Sequence, residues 1–102
     1  MNEKVIGIIG GMGPEATANL FMKIIKATKV DKEQEHFRII IDSNPKIPDR
    51  TKAILENGES PVNAILDTAK NLEKAGVDLA CIPCITAHYF FDEIQSQVSY
   101  KI

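Results

Sequence analysis

The sequence has few cysteines, which argues against a small secreted protein held together by disulfides. Cys81 and Cys84 are the only two in 102 residues. Secreted domains stabilised by disulfides use more, so the count argues against a stapled extracellular fold. In a reducing cytosol, two thiols this close in sequence are reactive groups, metal ligands or small buried residues.

An excess of basic charge and a long apolar run are also absent. Lys and Arg number 12 against 14 Asp and Glu, which gives a net charge of -2. Nucleic-acid binding calls for a basic excess, so no nucleic-acid partner is predicted. No apolar stretch approaches the roughly 20 residues that span a bilayer. The run Val5–Ile9 is too short for a signal-peptide core and is followed by glycines. We therefore expect no membrane partner and a cytoplasmic location.

The chain alternates strand patterns with helix patterns over a single domain, residues 1–102. Short apolar runs predict strands at Lys4–Ile9, Phe37–Ile41 and Val77–Ile82, with a fourth beginning in Val98–Ile102. Helices are predicted from Pro14 to about Lys29, over Thr51–Glu56, from Pro61 to Gly76 with Ser60 as cap, and from Thr86 or Ala87 to near Ser96. The order predicts an α/β three-layer sandwich with a parallel sheet of three to four strands.

Three loops with unusual residues follow the predicted strands, namely Gly10–Pro14, Ser43–Arg50 and Pro83–His88. Ligands bind parallel sheets of this kind beyond the carboxyl ends of the strands, where these loops should meet. In the first loop, glycines permit close backbone approach, and the helix that follows can hold an anion. The spacing fits neither a dinucleotide fingerprint nor a P-loop. A plain tight turn is the alternative interpretation.

Arg50 stands out in the second loop, where Pro45 and Pro48 restrict the backbone. Its guanidinium is a planar fork of donors that suits a carboxylate. The alternative is that Arg50 pairs with Asp49 or with solvent on the surface.

Cys84 stands out in the third loop because it lies just past a strand and just before a helix. The positive end of a helix stabilises a thiolate, which acts as a base or a nucleophile. An inert buried cysteine is the alternative. His88 is either a positive neighbour that favours this thiolate or a helix-start residue in solvent.

Two other chemistries use the same residues. Cys81-x-x-Cys84 is compatible with a redox pair, although Cys81 falls within the strand rather than at the start of the helix. Cys81, Cys84 and His88 are compatible with zinc, but a structural site needs four ligands and a second cysteine pair is missing. We predict no bound metal and keep a small redox or zinc-binding domain as an alternative.

The three loops together resemble one family. The segments GGMGPEAT at 10–17, NPKIPDRT at 44–51 and PCITAH at 83–88 are similar, in order and separation, to three motifs of the aspartate/glutamate racemases. The resemblance implies one lobe, the N-terminal one, of the two-lobed racemase fold. It also implies a racemase that needs no cofactor, not even pyridoxal phosphate, and in which one thiol from each lobe flanks the substrate Cα.

Carried over by position, the resemblance assigns a role to each motif residue. Cys84 matches the proton-transfer cysteine of the first lobe, and Arg50 matches the residue that grips a substrate carboxylate. Met12 and Gly13 would line the cleft, while Thr86 would help to hold the α-carboxylate. The implied substrate is a small amino acid, aspartate or glutamate.

Two departures from the family pattern affect this prediction. Ile85 stands where the family has an Asn, so an amide that binds the α-carboxylate is missing. The second-lobe cysteine is also missing, and Cys81 cannot replace it, because three strand residues separate the two thiols by roughly 10 Å on one edge of the cleft. We expect Cys81 in the core, and a homodimer or association with a missing C-terminal lobe. A catalytically inactive remnant that binds carboxylates or amino acids is the alternative.

Overall fold

A three-stranded parallel sheet with helices on both faces forms the protein, as seen in a computed structural model that describes residues 3–102. The strands are β1 (Val5–Gly10), β2 (Arg38–Ser43) and β3 (Leu79–Cys81). The helices are α1 (Pro14–Ala27), α2 (Arg50–Leu55), α3 (Val62–Ala75) and α4 (Phe91–Gln95), with 3₁₀ turns at Glu33–Glu35 and Thr86–Phe90. No helix in the described range is long and apolar enough to cross a membrane.

The sheet has the order β2-β1-β3. In the pairing of β1 with β2, Val5 lies opposite Arg38 and Gly10 opposite Ser43. In the pairing with β3, Ile8 lies opposite Cys81. Because β1 is central, its residues from Gly7 onwards are buried, as the glycine-bounded apolar run predicted.

The two faces of the sheet are covered by different helices. Neighbouring strand residues point to opposite faces, and in β2 Ile40 packs against the buried core whereas Ile39 lies against α1. The core face belongs to α3, whose buried side chains recur at helical spacing: Val62, Ile65, Leu66, Thr68, Ala69 and Leu72. In α1 only Thr17 is buried. The predicted α/β three-layer arrangement is therefore confirmed. The layer that contains α3 buries more side chains than the layer that contains α1.

Helix α3 begins and ends close to where the sequence predicted. The first helical residue is Val62, so the N-cap is Pro61 and not Ser60 as predicted. Ser60 lies one residue earlier, and its hydroxyl accepts a hydrogen bond from the Val62 N–H at 3.3 Å. Gly76 ends the helix with φ of 86°, a left-handed conformation that glycine adopts without a Cβ clash.

The third strand, the fourth helix and the fourth strand differ from prediction. β3 is shorter than Val77–Ile82, because the N–H of Val77 still bonds to Leu72 O at the end of α3. The predicted fourth helix opens with a 3₁₀ turn and becomes α-helical only at Phe91. Of the predicted fourth strand, a single parallel bridge joins Lys101 to Leu79.

The C-terminal segment is tied down by Tyr100. Its side chain is 6% exposed, and its hydroxyl donates a 2.7 Å hydrogen bond to Ala69 O on α3. Gln95 holds the same segment through Tyr100 O and the N–H of Ile102, both at 2.8 Å. Burial, with a smaller contribution from the negative charge of Glu73, raises the pKa of Tyr100 to about 12.

Replacing Tyr100 with Phe should lower the free energy of unfolding by about 1 kcal/mol, because Ala69 O loses its donor. The neutral phenol stabilises the fold fully below pH 10, the ordinary pKa, and this contribution is lost as the pH rises through about 12. Urea unfolding at several alkaline pH values should therefore show a steeper loss of stability for the wild type than for Tyr100→Phe. The control is Tyr89→Phe, since Tyr89 is 71% exposed. Equal effects of the two substitutions would contradict the assignment.

Candidate active site

The three loops meet at one edge of the sheet, as predicted. The strands are parallel and end at Gly10, Ser43 and Cys81, so the segments that follow leave from the same edge. The N–H of Asn44 donates to Gly10 O at 3.1 Å, which joins the first two loops directly. Gly11 approaches Asn44 so closely that a Cβ at Gly11 would lie 2.3 Å from the Asn44 carbonyl.

Thr17 fixes the first loop. Its hydroxyl accepts a hydrogen bond from Gly11 N at 2.9 Å and donates one to Gly13 O at 3.0 Å. The side chain is 3% exposed, and a Cβ on Gly10 would lie 2.5 Å from it. The sequence analysis did not identify Thr17. Its position one turn after Pro14, where a helical side chain points back towards the loop, is the signal that could have found it.

Met12 and Gly13, both predicted to line the cleft, lie in different surroundings. Met12 is 4% exposed and belongs to the buried core, so its side chain anchors the first loop to the core. Its apolar side chain is more stable there than in a wet cleft. Gly13 faces open space, because a Cβ there would meet no atom within 4 Å.

The second loop is fastened by its polar side chains. Asn44 accepts a 3.0 Å hydrogen bond from Lys46 N and reaches the Thr68 hydroxyl on α3 at 3.4 Å. Asp49 caps α2 by accepting a hydrogen bond from Lys52 N at 3.0 Å, and that bond lowers the pKa of its carboxyl. The carboxylate of Asp49 thus accepts its hydrogen bond from the helix backbone, and the guanidinium of Arg50 bonds to the loop backbone.

Arg50 is half-buried and turns into the second loop. Its Nη1 donates to the carbonyl oxygens of Ile47 and Pro48, both at 3.3 Å. Its Nε is buried and has no hydrogen-bond partner among residues 3–102. A buried, charged donor without a partner is costly, and a carboxylate would satisfy it. This favours the anion-binding interpretation of Arg50 over the surface one.

Cys84 is half-buried at the rim of the core, with Thr86 as its partner. Its Sγ lies 3.3 Å from the Thr86 hydroxyl, and either atom can be the donor. The role predicted for Thr86, to help hold the substrate's α-carboxylate, stays a prediction, and the structure places its hydroxyl beside the thiol. Ile85 between them is 92% exposed. An apolar side chain thus stands in solvent beside the thiol.

Cys81 has different surroundings from Cys84. It is half-buried in β3, where its Sγ lies 3.8 Å from Gly7 O. Burial raises the pKa of the Cys81 thiol, which favours its protonated form. Neither cysteine is in a disulfide. Within residues 3–102, no three His, Cys, Asp or Glu side chains converge closely enough to hold a metal ion, so Cys81, Cys84 and His88 do not form a zinc-ligand cluster.

Comparison with known proteins gives one family. A sequence profile described as Asp/Glu/hydantoin racemase matches residues 9–100. The broad-specificity amino-acid racemase RacX of Bacillus subtilis (strain 168) is 36% identical over 101 residues, an alignment that covers 93% of this chain and 43% of RacX.

Solved structures of similar fold point to the same family. Picrophilus torridus aspartate racemase superposes with a TM-score of 0.89 at 43% identity, over 97% of this chain and 42% of that one. An aspartate racemase homologue from Pyrococcus horikoshii OT3 superposes with a TM-score of 0.76 at 30% identity, over 100% of this chain and 44% of that one. The chain has the fold of one racemase lobe and spans less than half the length of these relatives.

The close contact at Gly11 generates a stability prediction. Gly11→Ala should lower the free energy of unfolding by at least about 1–3 kcal/mol, because φ is 98° there and the new Cβ would strike the Asn44 backbone. Thermal and urea unfolding measure the change. Gly13→Ala is the matched control, since its φ is -100° and its Cβ would face open space. A Gly11→Ala protein as stable as Gly13→Ala would refute the close contact.

Proposed function

The chain belongs to the Asp/Glu/hydantoin racemase family, and from that premise we propose that it is one lobe of a cofactor-independent amino-acid racemase with Cys84 as its proton-transfer group. The observation that carries the proposal is the half-buried Cys84 thiol, paired with the Thr86 hydroxyl at 3.3 Å on the ligand-binding edge of the sheet. No other thiol of residues 3–102 has a hydroxyl partner at that edge.

In the proposed step, the Cys84 thiolate removes the α-proton of a bound amino acid. The Cα–H bond breaks, an S–H bond forms, and the electron pair left on Cα is delocalised into the carboxylate. Thr86 is the hydrogen-bond partner of the sulfur in this step, because its hydroxyl can donate to a thiolate. Return of the proton from sulfur to Cα restores both groups.

The substrate is held by its carboxylates. Arg50 offers a buried Nε that lacks a partner, and an acidic side chain of aspartate or glutamate would satisfy it. Gly13 leaves open space beside the start of α1, where backbone N–H groups favour an anion. The proposed substrate class is therefore an amino acid with an acidic side chain.

Racemisation needs a second acid–base group on the opposite face of Cα. Cys81 does not supply it, because that thiol lies within β3, with its Sγ 3.8 Å from Gly7 O, and approaches from the same edge of the sheet as Cys84. The relatives are more than twice as long as the part that this chain matches. We propose that a second lobe completes the site. Two free thiols suit a reducing, cytoplasmic location.

The proposed function is tested by α-proton exchange in D₂O. A single lobe, with its thiol on one face of Cα, should incorporate deuterium into L- or D-aspartate or glutamate with retained configuration, whereas inversion would show that a second group acts from the opposite face. In both cases exchange should disappear with Cys84→Ala. NMR measures the loss of the Cα proton, and chiral chromatography measures configuration. Cys81→Ala is the matched control and should keep the exchange.

Exchange that persists in Cys84→Ala would reject Cys84 as the base. Alanine as a substrate separates binding by Arg50 from the chemistry, because it lacks the acidic side chain. Equal exchange of alanine and aspartate would reject the role of Arg50 and leave that of Cys84 intact.

A second candidate function is an inactive amino-acid-binding remnant, and Ile85 favours it. A 92% exposed isoleucine stands where the resemblance expects an amide that binds the α-carboxylate. In this case the wild type would bind aspartate or glutamate without exchanging its α-proton. Calorimetric binding together with the D₂O assay separates the two functions.

Ile85→Asn should raise the exchange rate, by about 5- to 100-fold if the amide restores one hydrogen bond to the carboxylate. Its stability should stay within about 0.5 kcal/mol of wild type, because an exposed side chain makes few contacts. The D₂O assay and urea unfolding measure the two effects. Leu55→Asn, at another exposed apolar residue, is the control and should leave exchange unchanged. A rate unaffected by Ile85→Asn would show that Ile85 does not limit the site.

A further inference from the structure

The carbonyl of Cys84 has an unusual partner. Cys84 precedes the 3₁₀ turn Thr86–Phe90, in which Ile85 is the N-cap and the His88 N–H donates to Ile85 O at 3.1 Å. The carbonyl of Cys84 thus lies outside the main-chain hydrogen bonds of the turn and needs a donor from elsewhere.

The side chain of His88 supplies the missing donor. Its Nδ1 lies 2.8 Å from Cys84 O. A carbonyl oxygen only accepts, so Nδ1 must carry the proton. The imidazole also stacks on Phe91, with ring centroids 6.2 Å apart and planes 6° from parallel. The ring is therefore held in the orientation in which it donates.

Both backbone polar groups of Cys84 are then engaged. Its N–H donates to Ile82 O at 2.9 Å, and its C=O accepts from His88. These two bonds fix the peptide planes on either side of the Cys84 Cα, and so fix the backbone that carries the side chain with Sγ. A catalytic group has to be held in place for proton transfer to be efficient, because small displacements slow the reaction strongly.

We propose that His88 is a positioning residue, which holds the Cys84 main chain through its Nδ1–H and so sets the thiol against the Thr86 hydroxyl. This inference rests on the proposed function and deepens it. It also replaces the interpretation of His88 as a positive neighbour of the thiolate, because the imidazole bonds to the carbonyl of Cys84 and the thiol's own partner is Thr86.

The test uses two substitutions at His88, one that keeps an aromatic ring without a hydrogen-bond donor and one that keeps a donor without the ring. His88→Phe keeps a ring that can stack on Phe91 but has no donor. His88→Asn keeps an N–H donor close to the position of Nδ1 but has no ring. If the donor matters, exchange of aspartate or glutamate α-protons should fall about 3- to 10-fold in His88→Phe, as loss of one hydrogen bond predicts, and His88→Asn should return to within about 2-fold of wild type. The fall should be in kcat with KM unchanged, because His88 does not touch the substrate.

Two measurements do not depend on catalysis. NMR of the wild type should show a proton on Nδ1, and the carbonyl ¹³C resonance of Cys84 should shift in His88→Phe and return in His88→Asn. The rate of Cys84 alkylation by iodoacetamide, separated from that of Cys81 by tandem mass spectrometry, should follow the same order.

An unprotonated Nδ1, an unchanged Cys84 carbonyl resonance in His88→Phe, or His88→Asn behaving as His88→Phe does would overturn the proposal. If no variant and no wild-type protein exchanges α-protons, the racemase proposal fails, while the carbonyl resonance and the alkylation rates still decide the role of His88.

Discussion

The close approach of Gly11 to Asn44 is the contact on which the candidate site depends. The two loop backbones come so near that no side chain fits between them, and the N–H of Asn44 bonds to Gly10 O. This contact fixes where the second loop begins, and that loop carries Arg50 at its far end. Thr17 secures the other side of Gly11. A rigid backbone junction, rather than a set of side-chain contacts, thus places the guanidinium at the edge of the sheet where Cys84 also lies.

Much of this arrangement could be predicted from local sequence. The central strand, the helix start at Pro14 and the Gly76 end of α3 follow from residue types whose backbone preferences are strong. The extent of β3 and the form of the fourth helix could not be predicted in the same way. They depend on which hydrogen-bond donor reaches a given carbonyl, as when Val77 N continues α3 instead of entering the sheet. Which of these hydrogen bonds forms depends on tertiary packing between distant parts of the chain, and local residue patterns do not contain that information.

The sequence predicted where in the sheet the candidate site residues lie, but not which atoms they contact. Arg50 and Cys84 lie at the predicted edge, but Thr86 reaches the thiol and His88 reaches a main-chain carbonyl. Both partners come from the first turn after Cys84, which is a 3₁₀ turn with Ile85 as its N-cap. Met12, assigned to the cleft by resemblance, has its apolar side chain in the core, where it is more stable than in water.

The two cysteines show how position separates two identical groups. They are three residues apart, yet Cys81 lies within the sheet, where burial raises its pKa and its thiol donates a 3.8 Å hydrogen bond to the backbone oxygen of Gly7. A carbonyl oxygen cannot donate a hydrogen bond to a thiolate, so these surroundings favour the neutral thiol. Cys84 lies one loop further on, beside a hydroxyl that can donate. The end of β3 thus separates a thiol within the sheet from one beside a hydroxyl in the loop that follows, and neither cysteine is in a disulfide.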